Sequence, residues 1–148
     1  MTVADNTVVQ EIRIDAAPDE VFPYFTEPDL MMRWMGTDAK LDAQPGGVFR
    51  VNVNGKDVAV GEYVVVDAPT RVRFSWGWEG NDGVPPGSST VEVTLTAEAG
   101  ATFVRLVHSG LPVPALDQHD HGWVHFAERL AVAGTGADPG PDPWVEAG

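Results

Sequence analysis

The chain has 148 residues, 43% of them hydrophobic and 21% charged, which predicts one globular domain. Its net charge of −13 disfavours nucleic acid and anionic membrane surfaces as partners, and the absence of cysteine excludes disulfides, thiol catalysis and thiolate metal sites. Without an apolar run of about 18 residues or a secretory signal at residues 1–10, a cytoplasmic location without membrane insertion is expected.

The N-terminal third predicts one strand and two short helices. Residues 8–14 alternate between apolar and polar side chains, as a half-buried strand does. Pro18, followed by two acidic residues, is typical of the first turn of a helix. Pro23 predicts that this helix is kinked or short. A second short helix is expected to begin near Thr26, with Thr26 as its N-cap.

The central part predicts an antiparallel sheet. Apolar and polar residues alternate in five segments: residues 49–53, 58–66, 72–78, 90–96 and 102–108. Asn54-Gly55 is a typical two-residue hairpin turn, and Gly61 inside its strand is a candidate bulge or bend. Residues 79–88, rich in glycine and proline, are expected to form a long loop.

A long helix follows the sheet. Leu116, Trp123 and Leu130 recur at helical spacing, and Gly134 is expected to end the helix. Gly122 inside it costs about 1 kcal/mol relative to alanine, which predicts a close packing contact or a bend at this position.

The flanking segments differ in composition from the predicted domain, which covers residues 7–133. Residues 1–6 are expected to be an N-terminal extension. Residues 134–148 are rich in glycine, proline and acids, and are expected to form a mobile tail in which Trp144 is the exception.

Several short motifs follow one another along residues 7–133. They are Ala17-Pro18-x-Glu20-Val21-Phe22, Trp34, Pro45-Gly46-Gly47-x-Phe49, Gly61-Glu62, Phe74-Ser75-Trp76, Val91-x-Val93-x-Leu95, Leu106-Val107-His108-Ser109-Gly110-Leu111, Gly122-Trp123 and Leu130. In this order they resemble the START-like (SRPBCC) superfamily, in particular the branch homologous to the C-terminal domain of the heat-shock-protein-90 ATPase activator.

The resemblance implies an α+β helix-grip fold. In this fold a curved antiparallel sheet wraps around a C-terminal helix, with two short helices after the first strand. The resemblance also implies a deep apolar cavity between the sheet and the helix, and it leaves the ligand open.

Ten residues are expected to line that cavity: Trp34, Phe49, Phe74, Trp76, Trp78, Val93, Leu106, His108, Trp123 and Leu130. For most of the aromatic residues among them, plain core packing is the favoured interpretation. Trp76 and Trp78 are the stronger candidates, because they lie near the end of their strand and an indole has a polar N–H group.

His108 is the most informative polar residue in this set. By alternation it points inward with Leu106, where its ring nitrogens need a partner or a ligand. A structural histidine and a histidine that orients a ligand both fit the pattern.

A metal site is the less favoured interpretation of three polar residues on the last helix. Asp117, His121 and His125 are spaced at i, i+4 and i+8, so they share a face. No third firm ligand accompanies the two histidines, and a solvated polar face is the favoured interpretation. No metal and no cofactor is therefore expected.

Three functions remain open from the sequence. The leading hypothesis is a protein that binds a small apolar or aromatic molecule, without catalytic residues. The second is a protein-interaction module akin to the co-chaperone domain, with a protein partner. The third is an enzyme similar to polyketide cyclases or dehydratases, which would need His108 with Glu62 or Arg33 as acid and base.

Overall fold

The computed structural model describes residues 6–145. The expected N-terminal extension therefore lies outside the described residues, apart from Asn6. The described part contains strands β1 (Thr7–Ile14), β2 (Asp38–Leu41), β3 (Val48–Asn52), β4 (Val58–Asp67), β5 (Arg71–Trp76), β6 (Ser89–Glu98) and β7 (Ala101–Ser109), and helices α1 (Pro18–Val21), α2 (Pro28–Met31) and α3 (Leu116–Ala133). Two 3₁₀ turns, Phe22–Phe25 and Val113–Ala115, precede α2 and α3.

The strands form one antiparallel sheet in the order β1-β7-β6-β5-β4-β3-β2. The curved sheet, the two short helices after β1 and the long C-terminal helix confirm the predicted helix-grip fold. The edge strand β2 was not predicted individually, because four residues are too few to show a clear alternation.

Proline positions determine the two short helices. Helix α1 ends at Val21 and the chain continues as a 3₁₀ turn that contains Pro23, as expected from the missing N–H of proline. The prediction that Thr26 caps α2 is wrong, because Glu27 is the N-cap. Pro28 occupies the first helical turn and restricts the preceding residue to the extended backbone that an N-cap needs.

Gly61 is a point of close backbone approach. A Cβ atom at this position would lie 1.8 Å from the carbonyl oxygen of Ser75 in β5, so only glycine fits. The irregularity in the pairing of β4 with β5 falls slightly later, between Tyr63 and Val65. The strand therefore carries the predicted distortion, but not at the glycine itself.

Helix α3 lies beside β1. The Gln10 side chain donates a hydrogen bond of 2.9 Å to Asp120, and at the other end of the helix a Cβ atom on Gly134 would lie 2.9 Å from Ile14. Space is left beside the N-terminal half of the helix, next to the end of β5 and the β3–β4 hairpin. That space is where the candidate site lies.

The buried face of α3 explains how the helix is held, and it corrects one expectation. Five side chains of the helix are buried: His119, Trp123, Phe126, Leu130 and Ala133. The close contact or bend expected at Gly122 is absent, because the helix runs through this position and a Cβ atom there would meet nothing within 4 Å. Within residues 6–145, no helix has both the length and the apolar character needed to cross a membrane.

We predict that Trp123→Ala lowers the free energy of unfolding by about 3–5 kcal/mol, the range for truncating a buried aromatic side chain. Trp123 is only 4% exposed. Denaturant unfolding gives the value, and Val124→Ala on the outer face of the same helix is the control, with an expected loss below about 1 kcal/mol. Equal losses in the two variants would contradict this orientation of the helix.

Candidate functional site

A cavity of about 830 Å³ lies between α3, the end of β5, the β3–β4 hairpin and the loop that follows Trp78. This volume is within the usual range for small-molecule sites, about 300–1,000 Å³. The large apolar residues of its wall are Met35, Trp76, Trp78, Trp123, Phe126 and Trp144. The cavity between the sheet and the helix therefore combines these large apolar side chains with polar residues such as Asn81 and Gln118.

Three of the ten residues expected from the sequence line this cavity: Trp76, Trp78 and Trp123. The other seven, Trp34, Phe49, Phe74, Val93, Leu106, His108 and Leu130, are buried in the core around it. Phe49, for example, stacks on Phe74 with ring centroids 4.1 Å apart. Alternation predicts which face of a strand is buried, but it does not predict where along that face space is left.

Protein groups satisfy both ring nitrogens of His108. Trp123 Nε1 donates to His108 Nδ1 over 2.9 Å, so the proton of the neutral ring is on Nε2. His108 Nε2 lies 2.8 Å from Ser89 Oγ, which in turn donates to the carbonyl oxygen of Trp76 over 2.7 Å. His108 thus joins β5, β6, β7 and α3, and it can act on a ligand only through its neighbours.

A second histidine forms the same kind of bond with the opposite tautomer. Trp78 Nε1 donates to His119 Nε2 over 2.9 Å, so His119 Nδ1 carries the proton and donates to the carbonyl oxygen of Ala115. His119 lines the cavity and is only 7% exposed. Sequence reasoning missed this residue, although its spacing from Trp123 and Phe126 places it on the buried face.

Burial keeps both histidines neutral. Desolvation lowers the pKa of His108 to about 3, and the neighbouring His119 adds a smaller repulsion. Desolvation also lowers the pKa of His119, opposed in part by its hydrogen bond to Ala115. The two rings lie 5.2 Å apart, so protonation of one would further disfavour protonation of the other.

Trp76 contributes an unpaired donor. The residue is 2% exposed and lines the cavity, and its Nε1 has no hydrogen-bond partner among the described residues. The ring centroids of Trp78 and Trp123 lie 5.3 and 5.2 Å from the ring centroid of Trp76. The Trp76 nitrogen is shielded from water. An unpaired buried donor costs about 1–3 kcal/mol, which makes it a notable feature of the wall.

The segment after α3 covers one side of the cavity. The Trp144 ring stacks on His125 at 3.7 Å and lies 5.2 Å from His121. His125 also donates to the buried carboxylate of Asp142 over 2.8 Å. These contacts involve His121 and His125, two of the three residues considered as metal ligands. Within residues 6–145, no group of three or more histidine, cysteine, aspartate or glutamate side chains could hold a metal ion. Mobility of the tail stays a prediction.

Comparison with known proteins identifies the family of this chain. The family model described as "Activator of Hsp90 ATPase homolog 1-like protein" matches residues 15–134. The chain belongs to this AHSA1-like family. The chain is 24% identical over 111 residues to the mouse activator of 90 kDa heat shock protein ATPase homolog 1. That match covers 74% of this chain but only 31% of the mouse protein, so the chain spans about a third of its length.

Solved structures of the AHSA1-like type agree with the fold. An AHSA1-like protein from Rhizobium etli is 42% identical, with a TM-score of 0.74 and coverage of 95% of this chain and 89% of that one. DynU16, a protein of the dynemicin biosynthetic locus, is 30% identical with a TM-score of 0.79. That match covers 93% of this chain and 51% of DynU16.

We predict that His108 makes the stability of this AHSA1-like chain depend on pH. Its folded pKa of about 3 lies below the ordinary 6.5, so its contribution is complete above pH 6.5 and is lost as the pH falls towards 3. Between pH 7.5 and 5.0 the wild type should therefore lose about 2 kcal/mol more than His108→Gln, whose side chain does not titrate.

Urea unfolding of both proteins at the two pH values measures this difference. Effects of the carboxylates are common to both proteins and cancel in the comparison. A stability gap that stays constant with pH would contradict a neutral, buried His108.

Proposed function

We propose that this chain binds a small, mainly apolar or aromatic molecule in the cavity between the sheet and α3. The observation that carries the proposal is the cavity itself, with about 830 Å³ of space and walls built from tryptophan, phenylalanine and methionine side chains. Apolar surface in a cavity of this size contacts water, and a ligand that removes this surface from water gains free energy roughly in proportion to the area covered.

Gly122, a residue in the interior of α3, also supports the proposal. It lines the cavity, and a Cβ atom at this position would meet nothing within 4 Å. A glycine in a helix interior is less favourable than alanine by about 1 kcal/mol. No packing contact accounts for this cost, whereas the missing side chain leaves more room for a ligand.

Trp76 adds a polar requirement. Its indole N–H lacks an acceptor among the described residues, and a ligand that carries an oxygen or nitrogen acceptor could offset the penalty. Since the nitrogen is shielded by neighbouring rings, such a contact needs a tilt of Trp76 or of one of those rings.

The other two hypotheses have less support. A protein-interaction module rests on the family and on the name of the mouse relative, of which this chain spans only a part. A cyclase-like enzyme needs acid and base groups in the cavity. His108 is paired on both nitrogens, and neither Glu62 nor Arg33 belongs to the described lining.

Filling the cavity from Gly122 tests the proposal. We predict that the wild type binds the neutral aromatic probe N-phenyl-1-naphthylamine, detected by its fluorescence increase, and that Gly122→Phe weakens this binding at least about tenfold. Gly122→Ala is the matched control, because it changes the helix propensity but adds only one methyl group, and it should bind within about threefold of the wild type.

Both variants should melt at or above the temperature of the wild type, because each replaces a helical glycine. Lost binding in Gly122→Phe together with a lower melting temperature would indicate misfolding and would not support the proposal. No binding by the wild type, or equal binding by all three proteins, would overturn it.

A further inference from the structure

The rim of the cavity carries charges of one sign. Asp57, Glu79 and Asp82 belong to its lining, and no lysine or arginine does among the residues described. Arg50 compensates Glu79 through a hydrogen bond of 2.6 Å. Asp57 accepts a hydrogen bond only from the neutral amide of Asn54, and no ion pair involving Asp57 or Asp82 occurs in the described part of the chain.

These carboxylates act in a field that the rest of the chain reinforces. The net charge of the protein is −13, so the potential around the opening is negative. A negative potential attracts a cation and repels an anion, and because Asp57 and Asp82 are exposed this attraction is sensitive to salt. An anionic ligand such as a fatty acid would find no cationic side chain in the described lining.

The aromatic wall provides the second requirement for a cation. Trp78 is half-buried at the rim, with its N–H directed to His119, and it belongs to the same lining as Asp57 and Asp82. A cation within about 6 Å of a tryptophan ring is attracted by the electrons of its face. The buried and unpaired N–H of Trp76 in the same wall can only donate, so it would bond an acceptor atom elsewhere on the ligand and not its protonated amine.

We infer that the cavity selects cationic aromatic molecules, in which an apolar ring system enters between the tryptophans and a protonated amine stays near Asp57 and Asp82. This inference rests on the proposed function and narrows its ligand class. Both features belong to the lining of one cavity.

Three probes that share a naphthalene ring test the charge preference at pH 7.5. They are 2-naphthylmethylamine, which is protonated, the neutral 2-naphthylmethanol, and the anionic 2-naphthoate. Isothermal titration calorimetry at low salt should give the tightest binding for the amine, about tenfold tighter than the alcohol, and the weakest for the carboxylate. Raising the ionic strength to about 0.5 M should narrow the gap between amine and alcohol, because salt screens exposed charges.

Two double variants with the same change in net charge locate the effect. Asp57→Asn with Asp82→Asn should weaken binding of the amine at least about threefold and leave the alcohol within about twofold of wild type. Asp15→Asn with Glu98→Gln is the matched control, because these acids pair with Arg13 outside the cavity lining. This control variant should bind the amine more tightly than the alcohol by the same factor as the wild type.

The outcomes separate this inference from the proposed function. Binding of the alcohol without tighter binding of the amine overturns the charge preference alone. An equal loss in the rim and control variants overturns the role of Asp57 and Asp82, since net charge would then explain the effect. Failure of all three naphthyl probes overturns the inference, and it overturns the proposed function as well only if N-phenyl-1-naphthylamine also fails to bind.

Discussion

Two hydrogen bonds from indole groups to neutral imidazoles connect the N-terminal half of α3 to the sheet, in addition to the packing of its buried face. Trp123 of α3 donates to His108 of β7, and Trp78, just beyond β5, donates to His119 of α3. An indole N–H can only donate, so each histidine must keep one nitrogen free of a proton. The remaining protons are directed to Ser89 and to a backbone carbonyl, and a complete network therefore exists only when both rings are neutral.

These contacts fix the position of the helix next to the cavity. Helix α3 lies along β1 at Gln10 and Ile14, and its N-terminal half is bonded to the sheet through the two histidines. The cavity lies next to these bonds, with Trp76 and Gly122 in its wall.

The spacing of apolar residues predicted the strands and helices well, but only three of the ten expected residues line the cavity. Alternation in β5 correctly placed Phe74 and Trp76 inside, but it could not tell that Phe74 stacks on Phe49 in the core while Trp76 belongs to the cavity wall. His119 was missed because a polar residue was assigned to the solvent face, although its spacing from Trp123 fits the buried one. Whether a side chain packs or lines a cavity depends on elements distant in sequence, which periodicity does not encode.

Several locally unfavourable features meet at this one place in the fold. Gly122 weakens the helix, Trp76 keeps an unpaired N–H, and burial of His108 holds its pKa at about 3. The rest of the domain follows ordinary rules, with apolar residues inside and ion pairs such as Arg73–Glu92 on the sheet. A sequence under selection for stability alone could remove the first two costs by placing a larger residue at 122 and an acceptor beside Trp76. Their coincidence in a single aromatic cavity with an acidic rim is the strongest argument that the space is kept for a ligand.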